Sequence, residues 1–272
     1  MLPRGHRALR VLHLTDLHLM PAQRRKAAWV SALADLHPDL VVNTGDNIAH
    51  PDAVAVALDA FGPLFDAPGV FVLGSNDYFA PRLKNPARYL TSRYDEFVVD
   101  TPRLPTEDLV KGMLDGGWVD LTNARARVEV GGDDVELVGV DDPHLAYDRY
   151  DLVQAPADPA ALLTIGVTHA PYQRVLDAMT ADGARLVIAG HTHGGQLCIP
   201  GYGALVTNCD LDTGRVKGVS RWWPGAGGDL SATPPPDAAW LEVSAGLGTS
   251  PFAPVRFACR PEATLLTLEP VA

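Results

Sequence analysis

Cysteine is scarce. Only Cys198, Cys209 and Cys259 occur in 272 residues, at spacings that fit neither a disulfide framework nor a Cys-x-x-Cys metal site, so a reducing compartment is expected. Long apolar runs are missing as well. No stretch reaches the ~18 apolar residues of a membrane span, and the early apolar run is broken by His13 and Asp16 before a signal-peptide core forms. The expected location is therefore cytoplasmic, with at most a peripheral membrane contact. Positive charge is in deficit: Lys plus Arg number 22 against 33 for Asp plus Glu, a formal net charge of −11. That balance counts against nucleic acid as a partner, because such binders carry clustered basic surface. With 25 glycines and 23 prolines, the chain stays well below the roughly 25–30% combined share that marks low complexity. What remains is 47% hydrophobic and 20% charged, the composition of a globular protein.

The length permits one large or two small domains. No repeat and no linker divides the chain, so one domain over residues 1–272 is expected. From Leu9 to Ala80, short apolar runs end in polar punctuation and lead into helical stretches, the pattern of βαβ units. Leu9 to Leu14 ends in Thr15-Asp16-Leu17-His18, Leu40 to Val42 in Asn43-Thr44-Gly45-Asp46, and Val70 to Leu73 in Gly74-Ser75-Asn76-Asp77. Residues 81–115 read as an irregular helical insertion. Ala124 to Val130 and Val135 to Val140 flank Gly131-Gly132-Asp133-Asp134, a hairpin signature. Leu162 to Val167, a helix from Pro171 to Met179 and Leu186 to Ala189 restore the alternation. Strands at Ala204 to Thr207, Val216 to Val219, Trp240 to Val243 and Thr264 to Leu268 close the chain, with 222–236 as a Pro- and Gly-rich surface loop.

The chemistry-bearing residues fall at strand ends, where ligands bind in open α/β sheets. Asp16 and His18 end the first strand and Asp46 the second. Ser75 or Asn76 ends the third, His169 follows Leu162 to Val167, and His191 and His193 follow Leu186 to Ala189. Carboxylate, imidazole and amide oxygen form a ligand set for hard-to-borderline divalent ions, and one aspartate between two ions can bridge them. Taken singly each piece is weak: Gly45-Asp46 suits a turn, and His169 could cap a helix. Two imidazoles framed by glycine in Gly190-His191-Thr192-His193-Gly194-Gly195 have little structural purpose. The joint occurrence, in order, carries the signal.

These motifs resemble the calcineurin-like metallophosphoesterase family: Asp16-Leu17-His18, Gly45-Asp46, Gly74-Ser75-Asn76-Asp77, the solitary His169, and Gly190-His191-Thr192-His193-Gly194-Gly195-Gln196. The resemblance implies an α/β fold, a four-layer α-β-β-α sandwich of two mixed sheets flanked by helices. It also implies two divalent ions, Mn, Fe, Zn or Mg, and hydrolysis of a phosphomonoester or phosphodiester, small or lipid-linked. Asp16, His18, Asp46 and His193 would hold one ion, and Asp46, Asn76, His169 and His191 the other. A bridging water made acidic by both would attack phosphorus in line, with Asp46, Asp77 and His191 as the catalytic candidates.

The third motif departs from the family pattern, which places a histidine after the amide ligand. Either Ser75 is the ligand, or a one-residue slip keeps Asn76 as ligand and puts Asp77 where histidine belongs; amide oxygen is the better neutral ligand. The departure removes a leaving-group acid worth about 10²–10⁴-fold in rate, for which Asp77 or His144 could substitute. It is also the best support for a rival reading, a weak or inactive metal-binding scaffold. A redox di-metal protein is a third. Arg24 and Arg25 could meet a phosphate or simply open a charged helix. Trp222 and Trp223 could contact an apolar part of a substrate or pack under their own loop. Asp141-Asp142-Pro143-His144 could reach the site from behind or form a turn, and His13 is expected to pack in the core.

Overall fold

Both faces of the first strand are buried, and that decides the layering. In β1 (Leu9–Leu14) successive side chains point to opposite sides: Val11 enters a core shared by two sheets, while Leu12 and Leu14 enter one beneath helices. A strand covered on both sides reads as an apolar run, as parallel sheets require. The chain continues through α1 (Arg24–Ser31), β2 (Leu40–Asn43), α2 (Val54–Phe61) and β3 (Gly69–Phe71). A single turn α3 (Ser75–Tyr78), then α4 (Thr106–Asp115) and β4 (Val119–Asp120) follow. This computed structural model describes residues 1–81, 101–229 and 231–271. Part of the expected insertion, residues 82–100, lies outside the described residues; its C-terminal part is the regular helix α4.

The hairpin β5 (Ala124–Val130) and β6 (Asp133–Gly139) pairs Val130 with Asp133. The turn is therefore Gly131-Gly132 alone, with φ of 65° and 94°, a left-handed pair that suits a two-residue hairpin. Next come β7 (Leu163–Thr168), α5 (Gln173–Ala181) and β8 (Leu186–Ala189). The short pair β9 (Cys198–Ile199) and β10 (Gly203–Ala204) precedes β11 (Gly218–Trp222), β12 (Ala239–Val243) and β13 (Thr264–Leu268). The expected strand Ala204 to Thr207 is thus only the end of a two-residue pair, and the one expected at Val216 begins at Gly218 and runs through Trp222.

Two mixed sheets result, ordered β13-β1-β2-β3-β4 and β11-β12-β8-β7-β6-β5. Their facing sides share Val11, Val42, Val70, Leu137, Ile165 and Ile188. The outer side of the first packs on α1, α2 and α4 through Val30, Phe61 and Leu109. The outer side of the second packs on α5 through Val175, Leu176 and Met179. This is the α-β-β-α sandwich. His13 is fully buried between the sheets, its Nδ1 2.6 Å from Glu242 Oε2 on β12 and its Nε2 2.8 Å from Thr44 Oγ1, so it packs as expected and ties the two layers. Because β1, β2 and β3 are mutually parallel, as are β7 and β8, their C-terminal ends emerge together at one end of the sandwich. Among the described residues no helix is long and apolar enough to cross a membrane.

Candidate metal centre

Six side chains from four strand ends, those of β1, β2, β7 and β8, meet at that end. His18 Nε2 and His193 Nε2 lie 3.3 Å apart, and Asp16 Oδ1 lies 3.5 Å from His193 Nε2 and 4.0 Å from His18 Nε2. On the other side His169 Nε2 is 3.3 Å from His191 Nδ1 and 3.7 Å from Asp46 Oδ1. Asp46 faces both groups, because its second oxygen is 3.5 Å from His18 Nε2. Asp16, His18 and His193 form one cluster of possible ligands, and Asp16, Asp46 and His169 another.

Three of the imidazoles have one ring nitrogen anchored on a backbone carbonyl, which leaves the other facing the centre. His169 Nδ1 lies 2.6 Å from Thr44 O, His193 Nδ1 3.1 Å from Gly248 O, and His191 Nε2 3.0 Å from Asn208 O. A donated N–H on the anchored side presents a lone pair on the other, the arrangement metal-ligating histidines use. Burial, assisted by the other imidazoles, holds His191 well below its ordinary value, and burial likewise lowers His193 and takes His18 down to about 4. These rings are neutral at pH 7. Burial would also lower His169, but Asp46, Asp142 and Asp16 outweigh it and raise the ring to about 9, so a cation bound there would displace the Nε2 proton before this ring offers its lone pair. Asp46 is held low despite burial, by His169, His18 and the bonds from Asn76.

The donor set fits divalent cations. Asp16 Oδ1 is buried without a hydrogen-bond partner among the described residues, a costly state for a carboxylate oxygen unless a cation satisfies it. Donor separations of 3.3–3.5 Å match the ~3.4 Å edge of a tetrahedron whose metal–ligand bonds are about 2.1 Å.

Local backbone geometry reinforces the picture. Asp16, His18, Asp46, His191 and His193 all have positive φ, between 44° and 69°, a region costly for residues with a Cβ and concentrated at functional sites. Gly74 and Gly190 serve close approach rather than a left-handed turn: a Cβ on the first would collide with Asp46, and on the second with Thr15.

The remaining candidates divide. Asn76 lies against Asp46, its backbone N–H donating to Oδ1 at 2.7 Å and its side-chain nitrogen to Oδ2 at 2.8 Å. Asp77 is fully buried and accepts from the backbone N–H groups of Asp46, Asn47 and Gly74 at 2.8, 2.8 and 3.0 Å. It braces the loops beneath the centre and is not turned toward a substrate. His144 does stand beside the centre, its ring 4.6 Å from that of His191 and its Nδ1 3.1 Å from Tyr172 Oη. Asp142, also fully buried, accepts from His144 N and supports it from behind.

The expectation of an exposed tryptophan pair needs correction. Trp222 is fully buried under α5, with its indole N–H on Asp177 Oδ1 at 2.9 Å, and Trp223 packs partly buried against the same core. Apolar area and a satisfied indole donor favour the interior over the surface. Arg24 and Arg25 are exposed on the first turn of α1; the cation this turn directs inward is Lys26, whose Nζ donates to Leu17 O at 2.8 Å. Burial, then Arg256, lowers Lys26 to about 8. Arg256 itself was not apparent from sequence. Its guanidinium donates to His193 O, Ala245 O, Gly246 O and Gly248 O, holding the His193 loop in place; its single clue was its place in a segment without acids.

The calcineurin-like phosphoesterase profile matches residues 9–195, the span that contains every candidate ligand. The chain belongs to the calcineurin-like phosphoesterase family. It is 24% identical over 278 residues to YkuE of Bacillus subtilis, described as an uncharacterised metallophosphoesterase, covering 99% of this chain and 82% of that one. It is 27% identical over 206 residues to YpbG of the same organism, an uncharacterised protein, covering 75% of this chain and 60% of YpbG. Among solved structures, TT1561 of Thermus thermophilus superposes with a TM-score of 0.46 at 11% identity, covering 88% of this chain and 90% of that one.

Proposed function

We propose that this protein hydrolyses a phosphate ester at a dinuclear divalent metal centre. The observation that carries this reading is Asp46, whose two carboxylate oxygens face separate imidazole groups, 3.5 Å from His18 and 3.7 Å from His169. Asp16, His18, Asp46 and His193 would hold one ion, and Asp46, Asn76, His169 and His191 the other, with the Asn76 carboxamide turning its oxygen inward. Bound cations would neutralise charge on the phosphoryl oxygens and acidify a water.

The chain's own residues then act by position. Carbonyl anchors keep the imidazole nitrogens aimed inward, Arg256 steadies the His193 loop, and Lys26 braces the Leu17 carbonyl between Asp16 and His18. His144, next to His191, is the side chain best placed to meet a leaving group in the absence of the third-motif histidine. The test uses metal-depleted protein, single divalent metals added back, and a panel of aryl and alkyl mono- and diesters. Metal-dependent turnover that Asp46→Asn removes, with folding intact, supports the reading. Absence of turnover with every metal and ester, despite two bound ions, would favour the inactive scaffold instead.

A further inference from the structure

Outside the centre, the exposed large apolar side chains are not evenly spread. Leu197, Ile199 and Tyr202 lie on the β9 segment, and Phe252, Val255 and Phe257 on the segment before β13. The two segments are joined: Leu197 and Phe257 form a β-bridge, Cys198 N donates to Phe257 O at 2.9 Å, and Gln196 Nε2 donates to Ala253 O at 2.6 Å and Val255 O at 3.0 Å. They therefore form one surface. Tyr202 is 76% exposed, Val255 62% and Phe257 59%, far from the burial their apolar area favours.

Alternation gives this surface two sides. Between Leu197 and Ile199, the Cys198 thiol turns inward to Gly194 O at 3.2 Å. Between Val255 and Phe257, Arg256 turns inward to the carbonyl of His193 at 3.3 Å. The side that grips the His193 loop is polar, and the side facing away is apolar. Charge singles out the same surface. The chain carries 33 acidic residues and a net charge of −11, yet neither 193–207 nor 246–261 contains an Asp or Glu. The exposed cations at its margin are Arg260 and Lys217, the latter 3.6 Å from Glu262. Protein interfaces ordinarily surround an apolar centre with a rim of mixed polar groups. Protruding aromatics and aliphatics on two segments that themselves carry no carboxylate, with Arg260 and the Lys217–Glu262 pair at the margin, match a phospholipid headgroup boundary instead, and elsewhere the acidic surface would be repelled from it.

We propose that this apolar surface docks on a phospholipid bilayer and so brings the metal centre to phosphate esters carried by membrane lipids. The docking follows from the surface alone; the substrate class rests on the phosphoesterase reading. Inserted side chains would move with the Arg256 segment, so the bilayer lies against the same loop that positions His193.

The test is co-sedimentation of the full chain with vesicles of phosphatidylcholine and phosphatidylglycerol in equal parts, at about 1 mM lipid. The triple variant Tyr202→Ser, Phe252→Ser and Phe257→Ser is measured alongside, with melting temperature and hydrolysis of a soluble aryl phosphate as controls. Wild-type protein should pellet with vesicles, and the variant should partition on the order of 100-fold less while keeping its melting temperature and soluble-ester rate. A second variant, Phe257→Trp, should retain binding. Wild-type protein that stays in the supernatant, a triple variant that pellets equally, or a wild-type dimer that the triple variant dissolves would each overturn the docking surface. Vesicle binding without hydrolysis of any ester would uphold docking and remove the substrate inference with the phosphoesterase reading.

Discussion

Asp77 offers the sharpest separation of chemistry from architecture, because its neighbour Asn76 is a candidate ligand while its own carboxylate faces inward. It accepts three backbone N–H groups, from Asp46, Asn47 and Gly74, and these belong to the two loops that carry the second and third motifs. Asp77→Ala strands all three donors in a buried place, at about 1–3 kcal/mol each. Part of that loss is offset, since burial and the Asp46 carboxylate push Asp77 up to about 7 and the variant escapes this penalty. A net destabilisation of about 3 kcal/mol is expected. With a denaturant slope near 3 kcal/mol/M, the urea midpoint should fall by about 1 M. Metal affinity should fall by roughly 10–100-fold, the usual effect of removing a group that orients a ligand. Equilibrium urea unfolding and metal titration of the same preparation provide the assay. An unchanged midpoint and unchanged metal affinity, with turnover of alkyl esters lost, would refute the brace and make Asp77 the leaving-group acid.

Four further outcomes are expected. Trp222→Ala should cost about 3–5 kcal/mol in stability, read by denaturant unfolding, and should leave the ratio of rates on small and large esters unchanged. Chelation of divalent ions should lower the melting temperature and re-addition should restore it, because the ions would satisfy Asp16 Oδ1 and bind only the folded chain. Without a third-motif histidine, aryl phosphates should turn over faster than alkyl ones across a series of leaving-group pKa values; a flat series that His144→Ala makes steep would identify His144 as the acid. Arg256→Lys should weaken metal binding by about 10-fold or more, measured by titration, since one ammonium cannot reproduce a fork that reaches four carbonyls.

Much of this was legible because parallel strands carry two kinds of information in short runs. Val11 to Leu14 is apolar throughout, His13 apart, because both faces are covered, and Asp16 and His18 are polar because the strand has ended. The ligands therefore announce themselves by position as well as type. The burial of Trp222 is not legible locally, because a glycine- and proline-rich stretch follows it while the packing that governs it comes from α5, a distant part of the chain. The bracing position of Asp77 is hidden for a related reason: a carboxylate next to a candidate ligand looks chemical, and only the folded backbone reveals three N–H groups converging on it. Arg256 lies 63 residues from His193 in sequence, and no local pattern joins the two.

The strained backbone of the centre shows what the surrounding structure is for. Asp16, His18, Asp46, His191 and His193 all have φ values that glycine would adopt with less strain. Each such residue costs of order 1–3 kcal/mol, so the conformation persists only where other contacts impose it. Those contacts are present: Asp16 N donates to Gly45 O, His18 N to Asp46 O, Asp46 N to Asp77, and His191 N to Asp16 Oδ2, all at 2.8–2.9 Å. The first and second motifs thus hold each other by backbone bonds, the fifth is tied to the first through the Asp16 carboxylate, and Asp77 of the third motif lies beneath them. A fold selected for packing alone would place glycine at these positions; retaining aspartate and histidine there is intelligible when the side chains have a cation to hold.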